Sequence, residues 1–248
     1  MATAASPIRI GIYGPDVPPG PTPWRGCSLW PVGFAAAISH AGGEPVLLPE
    51  ILAGRSLSEV MGELDGLVLT GSSEAPTRHR ATEDRLCDWC QRHALPLLGV
   101  DHGLHVLNQF AGGTLYHDLS RDLHEALQHR HPPEEGLRHA INVLRGTRLA
   151  ALYGEGEVVV NSEHRKAVQR PARGFRVSAV ALDGVIEALE ADDDWFALGV
   201  QWNPASATAS GLDIQLFRGL IEACRVRSAR SVSTRRATTR RRAMALAR

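Results

Sequence analysis

Leu97-Leu98-Gly99-Val100-Asp101-His102-Gly103-Leu104-His105 reads as a short apolar strand, a tight turn and the start of a helix, with a carboxylate at the turn. This is the strand–x–x–Gly–helix shape of a nucleophile elbow: a reactive side chain would stand at Asp101, and Gly103 would let the helix pack closely on the strand. Glycine occurs in many strand-to-helix turns, so the spacing is a weak motif alone. Its surroundings decide the fold. Upstream, Thr82 to His93 has Leu86 and Cys90 at helical spacing, with Thr82 as the expected N-cap. Before it, Asp65 to Thr70 (DGLVLT) reads as a buried strand stopping at Gly71, Leu57 to Leu64 as a helix, and Glu44 to Leu48, closed by Pro49, as a strand. Earlier still, Val32 to His40 is a helix ended by Ala41-Gly42-Gly43, Gly14 to Pro23 a Pro/Gly-rich loop, and Ile8 to Tyr13 a β-branched strand. Repeated βα units predict an α/β fold with a doubly wound, mostly parallel sheet covered by helices on both faces. Ligands of such sheets bind at the carboxyl ends of the strands, here at 71–75 and 99–105. From Ala140 onward the chain reads as short strands and turns before a last helix over Leu212 to Ala223, and no internal repeat is visible.

The length of 248 residues and the hydrophobic content of 44% suit one sizeable α/β core. The longest apolar runs, such as Leu95 to Val100 and Val158 to Val160, are too short to span a membrane, so a cytoplasmic protein without membrane contact is expected. Cys27, Cys87, Cys90 and Cys224 follow no disulfide framework, and reduced thiols are the default. The C-x-x-C of Cys87 and Cys90 lies inside a helix with no second ligand pair, which favours core-facing cysteines over zinc. The formal net charge is zero, with 27 basic and 27 acidic residues, but Arg225 to Arg248 holds nine arginines and no acid, which leaves residues 1–224 at 18 basic against 27 acidic. The division is therefore a 1–224 domain and a basic 225–248 tail with too little apolar content to order itself. Weak contact of that tail with nucleic acid, or with the acidic body, is the alternative to simple solvation.

The segment LPLLGVDHGLHVLNQFAGGTLYHDL resembles the γ-glutamyl-amide hydrolase pattern of an apolar strand, G-I-C-R-G-M-Q, an apolar helix and G-G-T-L-Y-Q-D-L. AGGEPVLLPE, DGLVLTGSSE, GTRLAALYGEGEVVVNSEHRKAV, DGVIEALE and GVQWNPA follow in the family's order and approximate spacing. Over roughly residues 7–222 the chain thus resembles the class I glutamine amidotransferase-like superfamily, in its γ-glutamyl-γ-aminobutyrate hydrolase and γ-glutamyl hydrolase branch. The resemblance implies a flavodoxin-like fold and attack of an elbow Cys on a γ-glutamyl amide, with His and Glu of W-H-P-E completing the triad. The three triad positions here are Asp101, Asn203 and Ala205. The family's oxyanion glycine pair appears as Gly71-Ser72, and its N-S-x-H stretch as Asn161-Ser162-Glu163-His164. The family's Arg and first Gln at the elbow are replaced by His102 and His105, and a further Gln by His117.

Three readings stay open at this point. In one, a repurposed enzyme uses Asp101, its charge favoured by the helix N-terminus, as general base or nucleophile toward an electrophile other than an amide, with His164 or His102 as acid partner. Gly71, Ser72, Gly103, His105, Asn161, Ser162 and Glu163 would then surround the substrate. In the second, the chain is a non-catalytic binding or partner protein. In the third, Asp101, His102, His105 and His164 are metal ligands; under the first two no metal and no cofactor is expected. Trp202 is expected to pack at the sheet edge. His124, His129, His131 and His139 fall in a polar loop, where exposure, or a role as pocket lid, is expected. The implied ligand is a small molecule, γ-glutamyl or amino-acid-derived, and homodimerisation is left open.

Overall fold

The structure, a computed structural model, describes residues 6–14, 30–48, 56–71, 79–130 and 137–246, the last helix as backbone alone beyond residue 230. Ser72, Cys27 and His131 lie outside the described residues. The elements are β1 (Ile8–Tyr13), α1 (Trp30–His40), β2 (Gly43–Leu47), α2 (Leu57–Gly62), β3 (Gly66–Leu69), α3 (Arg80–Arg92), β4 (Leu97–Val100), α4 (His102–Phe110) and β5 (Thr114–Tyr116). There follow α5 (Leu119–Asp122), β6 (Arg138–Val143), α6 (Arg148–Tyr153), β7 (Gly156–Asn161), β8 (Ala167–Arg170), β9 (Phe175–Ala181), β10 (Ile186–Ala191), β11 (Ala197–Val200) and α7 (Ile214–Leu246).

One sheet in the order β2-β1-β3-β4-β11-β10-β9-β6-β7 organises the molecule, with β8 pairing β10 and β5. Pairing is parallel from β2 to β11 and antiparallel from β11 to β7. The expected parallel sheet thus carries a large antiparallel extension, because the second half supplies strands joined by turns and by the six-residue α6 rather than by crossover helices.

Alternation along the strands builds the two faces. Ile10, Ile12, Val68, Leu98, Val100, Leu198 and Val200 join Phe34 and Ile38 of α1, Leu149 of α6 and Phe217 of α7 in one core. The intervening Leu67, Leu69, Leu97 and Ala197 pack with Met61, Leu86, Cys87, Cys90 and Val106 from α2, α3 and α4 on the other. Period-two side-chain direction in a strand requires this split. Cys87 and Cys90 are core-facing, and burial pushes both thiols above their usual pKa.

Three expectations are corrected. Helix α3 begins at Arg80 rather than after Thr82, with His79 at the cap position and no side-chain cap bond. Trp202 is not at the sheet edge; it lies in the core beside Tyr153, its indole N–H donating to Asp213 Oδ1 at 3.0 Å. The 225–248 segment, expected to be without order, continues α7 as helix through Leu246. After Gly219 that helix contains neither Gly nor Pro and is rich in Arg and Ala, so a turn docked through Leu216, Phe217 and Leu220 propagates without a breaker. Among the described residues no helix is long and apolar enough to cross a membrane.

Candidate functional site

β4 and β11 run in register from Leu97–Ala197 to Val100–Val200, and the chain turns sharply where β4 ends. Asp101 N–H donates to Val200 O at 2.9 Å, and Asp101 takes φ 48, ψ −103 before α4 begins. Positive φ in a residue with a side chain costs on the order of 1–3 kcal/mol and persists only where the surroundings impose it. They do so here through glycine: a Cβ on Gly103 would lie 1.8 Å from Leu69 O, and one on Gly99 2.8 Å from Gly103 C. The elbow is therefore a property of close strand–helix packing, and Asp101 is where it points. Gly71, at φ 136 just past β3, borders the same strand ends.

A relay of amide and imidazole holds the carboxylate. Gln201 Nε2 donates to Asp101 Oδ1 at 2.8 Å, and Gln201 Oε1 lies 2.8 Å from His105 Nε2, which in its neutral tautomer is the donor. Burial pushes the His105 pKa down to about 3, so the ring stays neutral across the working pH range. His102, the next residue after Asp101, places Nε2 2.7 Å from Glu83 Oε1 of α3. Gln201, Glu83 and the oriented role of His105 have no local sequence signal; each depends on a partner 19 to 100 positions away.

The N-S-x-H residues behave differently from expectation. Asn161 and Asn203 exchange two bonds, Asn161 Nδ2 donating to Asn203 O and Asn203 N–H to Asn161 Oδ1, both 2.9 Å. Ser162 Oγ donates to His129 O at 2.7 Å, and Glu163 is exposed. The Asn161 and Ser162 side chains hold segments together, beside any part they take in binding substrate. Gly112-Gly113-Thr114 is also architectural: Asn108 donates to Thr114 O and Arg170 O and accepts from Ala172 N–H, and a Cβ on Gly113 would lie 2.2 Å from its Oδ1.

His164, an expected acid partner of Asp101, is turned toward Glu187. Its Nδ1 bonds Lys166 O at 3.0 Å and its Nε2 faces Glu187 Oε1 at 3.4 Å. Burial opposes its protonation, but the Glu187 carboxylate, with a smaller contribution from Asp101, raises its pKa above the usual value. His129 and His139, expected at the surface, instead pack with it: the His129 and His164 rings are 4.8 Å apart, as are those of His129 and His139. Burial and the neighbouring His164 charge lower the His129 pKa although Asp183 bonds its Nε2 at 2.9 Å. His124 is exposed as expected. The proposed ligand set of Asp101, His102, His105 and His164 does not converge; among the described residues the group with metal-ligand proximity is His129, His139, His164 and Glu187. Glu187 was missed, though an acid inside the apolar run Val185 to Leu189 is a readable sign.

The parallel sheet and the elbow at the end of β4 define a class I glutamine amidotransferase-like protein. Residues 24–205 match the Peptidase C26 family, and the chain belongs to that family. It is 34% identical over 233 residues to "Putative glutamine amidotransferase Rv2859c" of Mycobacterium tuberculosis, covering 87% of this chain and 71% of that protein. It is 32% identical over 215 residues to γ-glutamyl-γ-aminobutyrate hydrolase PuuD of Escherichia coli strain K12, covering 77% of this chain and 84% of that one. Among solved structures, a Thermoplasma acidophilum protein titled a "putative gmp synthase subunit a protein" superposes with a TM-score of 0.65 over 93% of this chain and 100% of that one, at 16% identity, which speaks to fold alone.

Proposed function

We propose that this chain is an enzyme of a small amino-acid-derived or amide-containing metabolite, with Asp101 accepting a proton from substrate and His102, backed by Glu83, returning one. The observation that carries the reading is the hydrogen bond from Gln201 to Asp101 Oδ1 at a residue held at positive φ: the fold keeps a strained turn and orients a carboxylate on it. The activity of the named relatives makes a γ-glutamyl compound the first substrate class to try. Cys-dependent amide hydrolysis does not enter the proposal. The elbow carries no sulfur, and Cys87, Cys90 and Cys224 are buried with thiol pKa values above the usual one, that of Cys224 at about 12. Asp101 as an acyl acceptor would form a mixed anhydride from an unactivated amide, an uphill step, so base rather than acyl nucleophile is the role assigned. In this reading the backbone N–H groups of Gly71 and His102 serve as donors to a developing oxyanion.

The test is incubation of the full chain with γ-glutamyl amides and N-acyl amino acids, with products followed by mass spectrometry. Asp101→Asn should lower turnover by at least about 100-fold, the usual contribution of a positioned base. Ligand-induced thermal stabilisation without any product would overturn the catalytic reading. A non-catalytic binding protein would then stand, a reading favoured by the Asn161–Asn203 lock, since an amide neither gives nor takes a proton near neutral pH.

A further inference from the structure

Four segments bring side chains to one buried point: His129 from the turn after α5, His139 from β6, His164 from the turn after β7, and Glu187 from β10. The geometry points to a closed structural zinc site made of His129 Nδ1, His139 Nε2, His164 Nε2 and a Glu187 carboxylate oxygen. The inference is independent of the activity proposed at Asp101, and it reverses the expectation of no metal.

The argument rests on where the protons must be. His129 Nε2 lies 2.9 Å from Asp183 Oδ2, His139 Nδ1 3.1 Å from Ala140 O, and His164 Nδ1 3.0 Å from Lys166 O. All three partners are pure acceptors, so each of these outer nitrogens carries the hydrogen, and a neutral ring then turns a lone pair inward. The inner nitrogens lie 3.4, 3.5 and 3.4 Å from Glu187 Oε1, and none of them, nor either Glu187 oxygen, has a hydrogen-bond partner among the described residues. The His129, His164 and Glu187 side chains are at most 1% exposed. With the three rings neutral, four acceptors face one another in a buried volume with no donor between them, a polarity that either a cation at the centre or a proton between His164 and Glu187 must satisfy.

The spacing fits the ion. Zn–N and Zn–O bonds of about 2.0–2.2 Å at tetrahedral angles put neighbouring donor atoms about 3.3–3.5 Å apart, the separation found on all three edges that run to Glu187. All donor atoms lie within 4.8 Å of one another. The outer bonds form the supporting shell of a zinc-bound histidine, one of them a carboxylate–histidine pair, and the Glu187 and Asp183 charges together balance a divalent ion. With four protein ligands and no open position, the role is structural. The ion would clamp the turn carrying His129, whose carbonyl already accepts from Ser162 Oγ and His164 N–H, onto the sheet.

The full chain, purified without a polyhistidine tag or chelator and incubated with Zn²⁺ before gel filtration, should retain one zinc per molecule by mass spectrometry of the metal. Co²⁺ in its place should give the intense visible d–d bands of a tetrahedral site. Stripping with a strong chelator should lower Tm by several degrees, about 4 °C or more, reversed by Zn²⁺. His139→Ala should abolish retention, while His124→Ala at the surface should keep it. Wild-type protein that holds no stoichiometric zinc and shows no metal-dependent Tm would overturn the site and leave a cluster bridged by protons alone; so would His139→Ala retaining zinc. If that variant fails to fold, the Co²⁺ spectrum of the wild type decides, and absence of tetrahedral bands overturns the proposal.

Discussion

The elbow at the end of β4 and the histidine cluster at β10 are separated by one strand, β11, after which Gln201 N–H donates to Glu187 O at 2.8 Å, yet they are built by opposite means. Asp101 is positioned by backbone: a glycine three-dimensionally too close to Leu69 O to be anything else, and a φ that strand and helix impose. Glu187 is positioned by side chains gathered from four segments. Glu190, three residues further along β10, shows how the fold satisfies a buried carboxylate with protein donors alone. It accepts from Arg148 N–H at 2.8 Å and Leu149 N–H at 3.1 Å at the start of α6, and Arg176 pairs with it at 2.6 Å. Glu187 has no such donors among the described residues, and the contrast between the two acids shows where a buried carboxylate is left without them.

The largest break of this comparison is Gly103→Ala. With no space for a Cβ, the variant should lose more than about 4 kcal/mol or fail to fold, as read by urea denaturation. A native-like midpoint would refute a backbone-determined elbow. Next, Glu190→Gln should cost about 2–3 kcal/mol by removing a charge that holds a helix start and a guanidinium. Glu187→Gln in chelator-stripped protein, at alkaline pH where His164 has released its proton, should cost less than about 1 kcal/mol or stabilise, because the new amide gives the inward lone pairs a donor. Equal costs for the two would erase the distinction.

The pH dependence sharpens the elbow side. The folded pKa of His105 lies below the unfolded one, 6.5 falling to about 3, so its contribution is complete above about pH 6.5 and is lost as pH falls between those values. Stability should therefore drop by up to about 1.4 kcal/mol per pH unit from this group, and His105→Gln should flatten that acid limb in denaturation curves. In chelator-stripped protein His164 has the opposite sign. Its folded pKa is raised, so its contribution is present below about pH 6.5 and fades as pH climbs through the folded value. The smallest effect is that of Asp101→Gly, which should raise stability by up to about 1 kcal/mol through relief of positive φ while removing the carboxylate on which turnover is proposed to depend. A stability loss above that size would show Asp101 to be a structural anchor.

Local pattern carried the βα alternation, the limits of β4, the turn at Asp101 and the burial of Cys87 and Cys90, because each depends on residues within a few positions of one another. It misjudged what depends on distant partners. His129 and His139 sit in a polar stretch that looks solvated, yet β6 and β10 enclose them; Asn161 and Ser162 look like ligand contacts, yet they bond Asn203 and His129 O. The tail misled in another way, since composition alone does not reveal that a helix docked upstream will propagate.

The order of residues by itself determined the α/β class, the place of the elbow and the identity of the group it presents, since strand periodicity and one obligatory glycine are local steric facts. Only the tertiary structure decided that Gln201 and His105 orient Asp101, that Glu83 stands behind His102, and that three histidines meet Glu187. Those contacts join residues up to 100 positions apart, and sheet order, which no local pattern encodes, sets their distances.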